Sequence, residues 1–155
     1  MLQITSYIQE SFYNIYQFND LAGNLEDVDN KSIERQLSYI EEELTETFAA
    51  FDSGDKVELL DGACDLWVTV VGLLQKLEAL GYNVKEAMQR VDENNLTKFP
   101  KTLQGLTFSS NFTSYKNDKY QRYVIKDAKG KVRKYDNFPK VDLKDLVPKE
   151  VVWLI

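Results

Sequence analysis

The feature that most constrains the fold is an acid-rich stretch, residues 41–65, that a turn signal divides into two helical segments. It carries nine acidic residues and one basic residue. Ser53-Gly54-Asp55 favours a turn, and Asp55 three residues before Glu58 has the spacing of a helix N-cap and its capping-box partner. The acids therefore end one predicted helix and begin the next, and in an antiparallel pair they can face each other.

The acids of each predicted helix recur at spacings that place them on one side of that helix. The two sets are Glu43 with Glu46, and Glu58 with Asp61 and Asp65. The helix that follows the turn is the third predicted helix of the chain, residues 56–80. It is apolar over most of its circumference and is predicted to be mostly buried. Carboxylates crowded into such a surface repel one another and lose hydration, so they need a compensating cation. Mg²⁺, with Mn²⁺ as the alternative, is the hard ion that suits Glu and Asp oxygens.

Some of these acids also have an ordinary explanation. The run 41–46 is also explained as a solvated acidic face, and Glu58 as a capping-box residue. Asp61 and Asp65 are harder to explain in this way, because helix propensity does not favour Asp inside a buried helix. Taken together, the acids favour a metal site.

Glu42-Glu43-x-x-Glu46 followed by Glu58-x-x-Asp61 resembles the EExxE and ExxD motifs of the MazG-like, all-α nucleoside triphosphate pyrophosphohydrolases. ELLDGACDLWVTVVG, residues 58–72, is similar to their second metal-binding helix, and eleven residues separate the two motifs. The resemblance implies a set of Mg²⁺ ligands: Glu43, Glu46, Glu58 and Asp61, with Glu42 and Asp65 as supporting or additional ligands.

The resemblance also implies a reaction, the Mg²⁺-dependent hydrolysis of a (d)NTP to the monophosphate and pyrophosphate. In that reaction Glu42 or Glu46 would orient the attacking water or accept its proton. dUTP, dCTP, dGTP and an alarmone are all compatible substrates. A nearer alternative is phosphoribosyl-ATP pyrophosphohydrolase, which shares the architecture. The alternative from a different class is a non-catalytic helical interaction protein that uses its acids for solubility or docking.

Four residues are candidates for substrate binding. Asn95-x-x-Lys98 resembles a stretch that follows the metal helices in phage members of the family, and an amide and an ammonium at this spacing project together toward phosphate or sugar. A frayed, solvated helix end is the other reading of this pair. Lys76 and Lys131 are the further candidates for neutralising phosphate charge. Lys131 belongs to a basic patch that is also explained as exposed hairpin charge.

The first predicted helix, residues 2–21, has an aromatic-rich apolar face that favours core packing. The more specific interpretation is that this face forms one wall of a nucleotide-base pocket, because aromatic faces stack on bases. The residues concerned are Phe12, Tyr16 and Gln17.

The composition excludes several classes of protein. Histidine is absent, which removes Ser-His-Asp catalysis, Cys-His catalysis and His-ligated zinc. The single cysteine, Cys64, cannot form an intrachain disulfide and suits a reducing cytosol, in a bacterium or a phage-infected host. A net charge of -6 argues against nucleic-acid or anionic membrane partners. The longest apolar run is too short to span a bilayer.

The sequence thus predicts an all-α protein, a four-helix MazG-like bundle with a C-terminal β-hairpin extension. One domain is expected over residues 1–155, with a helical core to about residue 99 and a loop and hairpin tail over 100–155. Within the tail, 101–119 is predicted to be a loop, and strands 121–126 and 131–135 to flank a turn in which Gly130 takes a positive φ. The resemblance implies a homodimer or homotetramer, which would bury the apolar surface of the third helix. The C-terminal VVWLI is expected to pack on the domain or on a neighbouring subunit.

Overall fold

A computed structural model describes residues 3–149 of the chain; the C-terminal VVWLI, with its predicted packing, lies outside the described residues. The four predicted helices and a small two-stranded antiparallel hairpin are present, which confirms the predicted fold class. The elements are a 3₁₀ turn at Gln3–Ser6, α1 Ile8–Leu21, α2 Asn30–Ser53, α3 Lys56–Ala79, α4 Val84–Leu96, β1 Thr113–Asn117, β2 Arg122–Lys126 and a second 3₁₀ turn at Lys144–Leu146. Over residues 3–149, no helix has the length and apolarity needed to cross a membrane.

The chain divides into two compact units. Of the described residues, the first comprises 3–84 and 147–149 and contains α1, α2 and α3. The second comprises residues 85–146 and contains nearly all of α4 and the hairpin. The sequence predicted a helical core reaching about residue 99, whereas α4 groups with the tail. That the whole chain is one domain stays a prediction.

The junction between α2 and α3 follows the turn signal closely. Gly54 ends α2 with a φ of 73°, in the left-handed region that glycine adopts without strain. Asp55 then caps α3, and its side chain accepts from the backbone N–H groups of Val57 and Glu58 at 3.0 and 3.1 Å. The N–H of Asp55 donates to the carbonyl of Ala50 at 3.0 Å, so the predicted reciprocal bond from Glu58 is not formed. The Glu58 carboxylate is therefore not used in the cap.

α2 and α3 form an antiparallel pair with one constant register. Near the open end, the Lys76 ammonium donates to the Ser32 carbonyl, and Gln36 lies beside Gly72. Near the turn, Thr47 lies against Gly62. α1 packs on α3, where the Trp67 indole N–H donates to the Ser11 hydroxyl at 2.9 Å.

The prediction that α3 is mostly buried fails for its first nine residues, which are exposed except for Leu59 and Gly62, whereas residues 65–77 are buried or half-buried except for Val70. Val71 is fully buried, but Val57 and Leu60, near the start of the helix, are 75% and 68% exposed. Phe48 and Phe51, near the end of α2, are 60% and 67% exposed. The physical reason is that an apolar circumference shows only which faces can be buried, and α1 and α2 do not cover all of them.

In the second unit, the hairpin forms with a different partner strand from the predicted one. β2 covers the predicted strand 121–126, but it pairs with β1, in the stretch predicted to be a loop. The turn at 127–130 is present and Gly130 has the predicted positive φ, 80°. The chain beyond that turn makes a single bridge, Lys126 to Val132, instead of a strand. β1 has few apolar residues, so its sequence gave little strand signal.

The C-terminal part of the second unit is tied to α4 by one arginine. The guanidinium of Arg90 donates to both carboxylate oxygens of Asp145 at 2.7 and 2.8 Å and to Glu86 at 3.0 Å. Hydrogen bonds to these carboxylates raise the pKa of Arg90, so its guanidinium stays charged. Asn94 adds a bond from its side-chain amide to the carbonyl of Pro139 at 2.9 Å.

Candidate functional site

Acidic residues of α2 and α3 flank a close contact between the two helices, at Thr47 and Gly62. A Cβ atom added to Gly62 would lie 2.5 Å from the Thr47 hydroxyl oxygen and 3.3 Å from the Thr47 Cα, so a larger residue would require Thr47 to shift. The Thr47 hydroxyl is held by the carbonyl of Glu43, to which it donates at 2.7 Å. The acids on either side of this contact, called the acidic cluster below, are Glu42, Glu43, Glu46, Asp61 and Asp65.

Glu43 is the centre of the acidic cluster. It is half-buried, whereas Glu42 and Glu46 are exposed. Burial raises the pKa of Glu43, and the neighbouring negative charges raise it further, with Asp65 first, then Glu46, Glu42 and Asp61. The four neighbouring carboxylates therefore surround Glu43 with negative charge. The antiparallel register explains the order, because it places Asp65 across from Glu43.

The acidic cluster is not a closed set of metal ligands. Within residues 3–149, no three potential ligand side chains are close enough together to hold a metal ion. Glu42 and Glu46 line an open depression of about 400 Å³ on the surface of α2, together with Ser38, Glu41 and Thr45. None of the five cluster acids forms an ion pair with a described Lys or Arg. Their donor chemistry therefore fits a divalent cation, although their oxygens do not form a cage.

Glu58 lies in the first turn of α3, on the same helix as Asp61 and Asp65. It is exposed, and its carboxylate is not used in the helix cap. The predicted role of Glu58 as a ligand stays a prediction.

A second polar group, called the amide network below, lies toward the open end of the same helices and consists of Asn19, Asn24, Gln36 and Gln75. The Asn19 amide donates to the Gln75 side-chain oxygen at 2.9 Å and accepts from Asn24 at 3.1 Å. The Gln36 amide donates to the Thr69 carbonyl at 2.8 Å. Among the described residues, no buried side-chain polar atom lacks a hydrogen-bond partner.

Lys76 lies beside the amide network and is only 3% exposed. Its ammonium donates to the Ser32 carbonyl at 3.4 Å, and no described acid forms an ion pair with it. Burial lowers the pKa of Lys76, and the positive charge of Arg35 lowers it further. Sequence reasoning proposed Lys76 for phosphate binding; that role stays a prediction for a side chain that the described structure buries.

The remaining substrate-binding candidates belong to the second unit. The Lys98 ammonium donates to the Asn95 side-chain oxygen at 2.6 Å, so the two groups project together as their spacing predicts. Lys131 is exposed just beyond the 127–130 turn, and its backbone N–H donates to Asp127 at 3.0 Å. A ligand role for these three residues stays a prediction.

The aromatic face of α1 is only partly used for packing. Phe12 is half-buried and its carbonyl accepts from the Gln75 amide at 3.4 Å. Tyr16 and Gln17 are exposed, and Gln17 donates to the hydroxyl of Tyr13 at 3.5 Å. The proposed base pocket along this face stays a prediction.

Sequence reasoning missed the residues that position the acids. Gly62 and Gly72 allow α2 and α3 to approach: a Cβ at Gly72 would lie 2.9 Å from the Gln36 amide nitrogen and 3.5 Å from that of Asn19. A signal was present, because glycine inside a helix costs about 1 kcal/mol relative to alanine and so usually has a packing reason. Thr47 and the amide network carried no comparable signal.

Comparison with known proteins identifies one relationship. Residues 9–95 match the family described as phosphoribosyl-ATP pyrophosphohydrolase. The match covers more than half of the chain, including α1, α2, α3 and the acidic cluster. It confirms the MazG-like resemblance seen in the two acidic motifs. No curated protein and no solved structure matches the chain.

Proposed function

Because the chain belongs to the phosphoribosyl-ATP pyrophosphohydrolase family, we propose that it hydrolyses a nucleoside triphosphate between the α and β phosphates. The products would be the nucleoside monophosphate and pyrophosphate. The structural observation that supports this most directly is the placement of acids from α2 and α3 on either side of the Thr47–Gly62 contact, around the half-buried Glu43. A negative field of this kind, without a described basic partner, is what a cation bound with a triphosphate would neutralise.

We propose Mg²⁺ as the cofactor, with Mn²⁺ as the alternative. The residues that would hold it are Glu43, Glu46, Asp61 and Asp65, with Glu58 as a further ligand. The ion, when bound, would supply positive charge to the triphosphate and lower the pKa of a water molecule. The fit is one of donor chemistry, since hard cations take carboxylate oxygens.

The chain's own side chains would have two tasks. Glu42 or Glu46, which line the open depression on α2, would orient the attacking water and accept its proton. The Lys98 ammonium, held beside the Asn95 amide, would donate to phosphate oxygens as their negative charge develops. Lys131 is the second candidate for that task, and Lys76 would need to leave its buried position.

We propose a deoxynucleoside triphosphate as the substrate, which is what the MazG-like resemblance implies. The description of the matching family favours a second candidate, phosphoribosyl-ATP, which would also release pyrophosphate. Both substrates present a triphosphate to the acidic cluster and differ only in the rest of the molecule.

The proposal is tested by measuring pyrophosphate release from a panel of dNTPs, NTPs and phosphoribosyl-ATP in the presence of Mg²⁺. We expect one or more dNTPs to be cleaved fastest and Asp61→Asn to lower kcat/KM at least about 100-fold, as loss of a ligand-set carboxylate should. Asp52→Asn, an exposed acid of α2 outside the acidic cluster, is the matched control. Fastest cleavage of phosphoribosyl-ATP would establish the second candidate. No cleavage of any nucleotide, with a melting temperature unchanged by Mg²⁺, would establish an interaction protein instead.

We also propose that the chain functions as a homodimer or homotetramer. The exposed apolar side chains at the turn end of α2 and α3 support this, because isolated monomers rarely expose contiguous apolar patches. They are Phe48, Phe51, Val57 and Leu60. Leu44, Phe48, Phe51 and Leu59 also line a hollow of about 270 Å³ in this region. Light scattering should give a multiple of the 18.0 kDa chain mass, and Leu60→Glu should shift it toward the monomer. The proposed compartment is the cytoplasm.

A further inference from the structure

The positive charge of the chain is concentrated in one short segment, called the basic hairpin below. Residues 113–134 carry eight Lys and Arg and two Asp, a net charge of +6, whereas the other 133 residues carry 11 basic and 23 acidic residues. The net charge of -6 is therefore an average over two regions of opposite sign. At physiological ionic strength, charges further apart than about 8 Å are largely screened, so the local charge of the basic hairpin decides what binds there.

The two strands of the basic hairpin differ in exposure. β2 is covered: Ile125 is fully buried, and the N–H of Tyr123 donates to the Pro100 carbonyl at 2.8 Å. β1 is an edge strand in the described structure, pairs only with β2, and is exposed from Thr113 to Lys116. The binding surface of the basic hairpin is therefore β1 and the turn that follows it.

That surface presents two exposed aromatic rings, each beside an ammonium group. Tyr115 on β1 is 49% exposed, and the Lys126 nitrogen lies 5.6 Å from its ring centroid. Tyr120 in the turn is 67% exposed, and the Lys119 nitrogen lies 5.1 Å from its ring centroid. The exposed part of each ring and the ammonium group beside it are available to a ligand in which planar and anionic groups alternate.

Most of the cations on this segment are not neutralised by the protein. Arg133 pairs with Asp127 at 2.7 Å, and Arg122 donates to the Phe99 carbonyl at 2.9 Å. The remaining exposed cations form no ion pair with a described acid: Lys116, Lys119, Lys129, Lys131 and Lys134. Of these, Lys116 and Lys119 lie on the surface formed by β1 and its turn. Unpaired lysines beside exposed aromatic rings are the combination that single-stranded nucleic acids bind, with bases stacked on rings and phosphates on ammonium groups.

We propose that the basic hairpin binds single-stranded nucleic acid without sequence preference. Tyr115 and Tyr120 stack on bases, and the lysines of the surface contact the intervening phosphates. An acidic protein would use the lysines but would leave both rings without a planar partner, so the rings favour a polynucleotide. Neither contact uses the ribose 2′-hydroxyl, so DNA and RNA strands bind with similar affinity. This inference is independent of the pyrophosphohydrolase activity.

The test is the anisotropy of labelled oligothymidylate and oligouridylate, each about 20 nucleotides long, titrated with the full chain in EDTA. Between about 50 and 200 mM salt, four phosphate contacts would lower the affinity roughly 50-fold. The double variant Tyr115→Ala/Tyr120→Ala should weaken binding at least about tenfold, because each stacked base contributes on the order of 1–3 kcal/mol. Lys116→Gln/Lys119→Gln should lower the slope of log affinity against log salt by about 1.4.

Matched controls come from exposed residues of the first unit. Tyr13→Ala/Tyr39→Ala removes two exposed tyrosines, and Lys31→Gln/Lys56→Gln removes the same charge as the hairpin double variant. Both control variants should bind as the parent does. Three outcomes would overturn the proposal: no binding of either strand, equal weakening in the control variants, or a tyrosine variant with unchanged affinity, which would indicate indiscriminate binding of anions. Loss of self-association in the hairpin variants without any strand binding would identify a second copy as the occupant and would also overturn it.

Discussion

The α2 and α3 pair carries polar side chains at both ends, and the two ends differ in how those side chains are satisfied. In the amide network, donors and acceptors match, as between Asn19 and Gln75. In the acidic cluster, every member has the same charge, and burial together with these like charges raises the pKa of Glu43. A glycine permits the close approach of the helices at each end, Gly72 at the first and Gly62 at the second.

The difference separates a structural polar group from a functional one. Buried amides that satisfy one another contribute to stability and to the register of the helices, and they need nothing from solution. Like charges held together reduce stability until a cation arrives, which proteins tolerate where binding requires it. We therefore expect substitutions in the acidic cluster to change activity more than stability, and substitutions in the amide network to do the reverse.

The glycine pair should give the largest contrast. Gly62→Ala places a methyl group against Thr47 and should destabilise the protein by about 1–3 kcal/mol, as overpacking does. Because it shifts α2 relative to α3 at the acidic cluster, it should also lower kcat roughly 10- to 100-fold. Gly72→Ala, the matched change in the amide network, should destabilise comparably but leave kcat within about twofold. Denaturation and steady-state kinetics measure both quantities.

Thr47→Ala provides a check on the cause of that effect. Added to Gly62→Ala, it removes the hydroxyl oxygen that the new methyl would meet at 2.5 Å, so part of the stability and activity should return. Equal kcat losses in Gly62→Ala and Gly72→Ala would show that the two ends do not have separate roles.

Gln75→Leu should affect stability alone. It leaves the buried Asn19 amide without its acceptor, which should lower the free energy of unfolding by about 1–3 kcal/mol. Gln89→Leu, at an exposed position of α4, is the control and should change stability by less than about 0.5 kcal/mol. Chemical denaturation measures these stability changes. Steady-state kinetics should show an unchanged kcat/KM for Gln75→Leu. A large loss of kcat/KM at an unchanged fold would place the amide network in the reaction.

Lys76→Met tests the buried ammonium at the open end, beside the amide network. Removing a buried charge that has no described acidic partner should stabilise the protein by about 1 kcal/mol near neutral pH. The folded pKa of Lys76 lies below 10.5, so the unfolded chain keeps its proton to higher pH, and the unfolding free energy of the parent should rise as pH approaches 10.5. That rise should be absent in Lys76→Met and retained in Lys56→Met, its exposed control on α3. A raised KM in Lys76→Met would instead support the phosphate-binding role.

Glu43→Gln should produce the smallest stability change and one of unusual sign. The folded pKa of Glu43 is raised above 4.5, so the native state binds this proton more tightly, and the unfolding free energy should fall as pH rises through that pKa. In metal-free protein at neutral pH, Glu43→Gln should therefore raise the melting temperature by about 1–3 °C, the effect of removing several weak like-charge contacts. Glu34→Gln, which changes an exposed acid of α2, should leave the melting temperature unchanged. A lower melting temperature in Glu43→Gln would mean that its charge is compensated in the fold.

The sequence alone determined the features that depend on neighbouring residues. The turn at Ser53 to Asp55, the N-cap of α3 and the positive φ of Gly130 follow from short signals, because caps and turns are completed within a few residues. The two acidic motifs also pointed to the family that the comparison identified.

Only the tertiary structure decided the features that depend on residues far apart in the chain. The close contact at Thr47 and Gly62, the burial of Lys76, the exposure of Leu60 and the pairing of β1 with β2 all result from which surfaces meet. Local propensity does not contain this information, because one apolar or polar pattern is compatible with several partners and registers. The sequence therefore determined which side chains carry the chemistry, and the packing of α2 on α3 decided which of them act on one another.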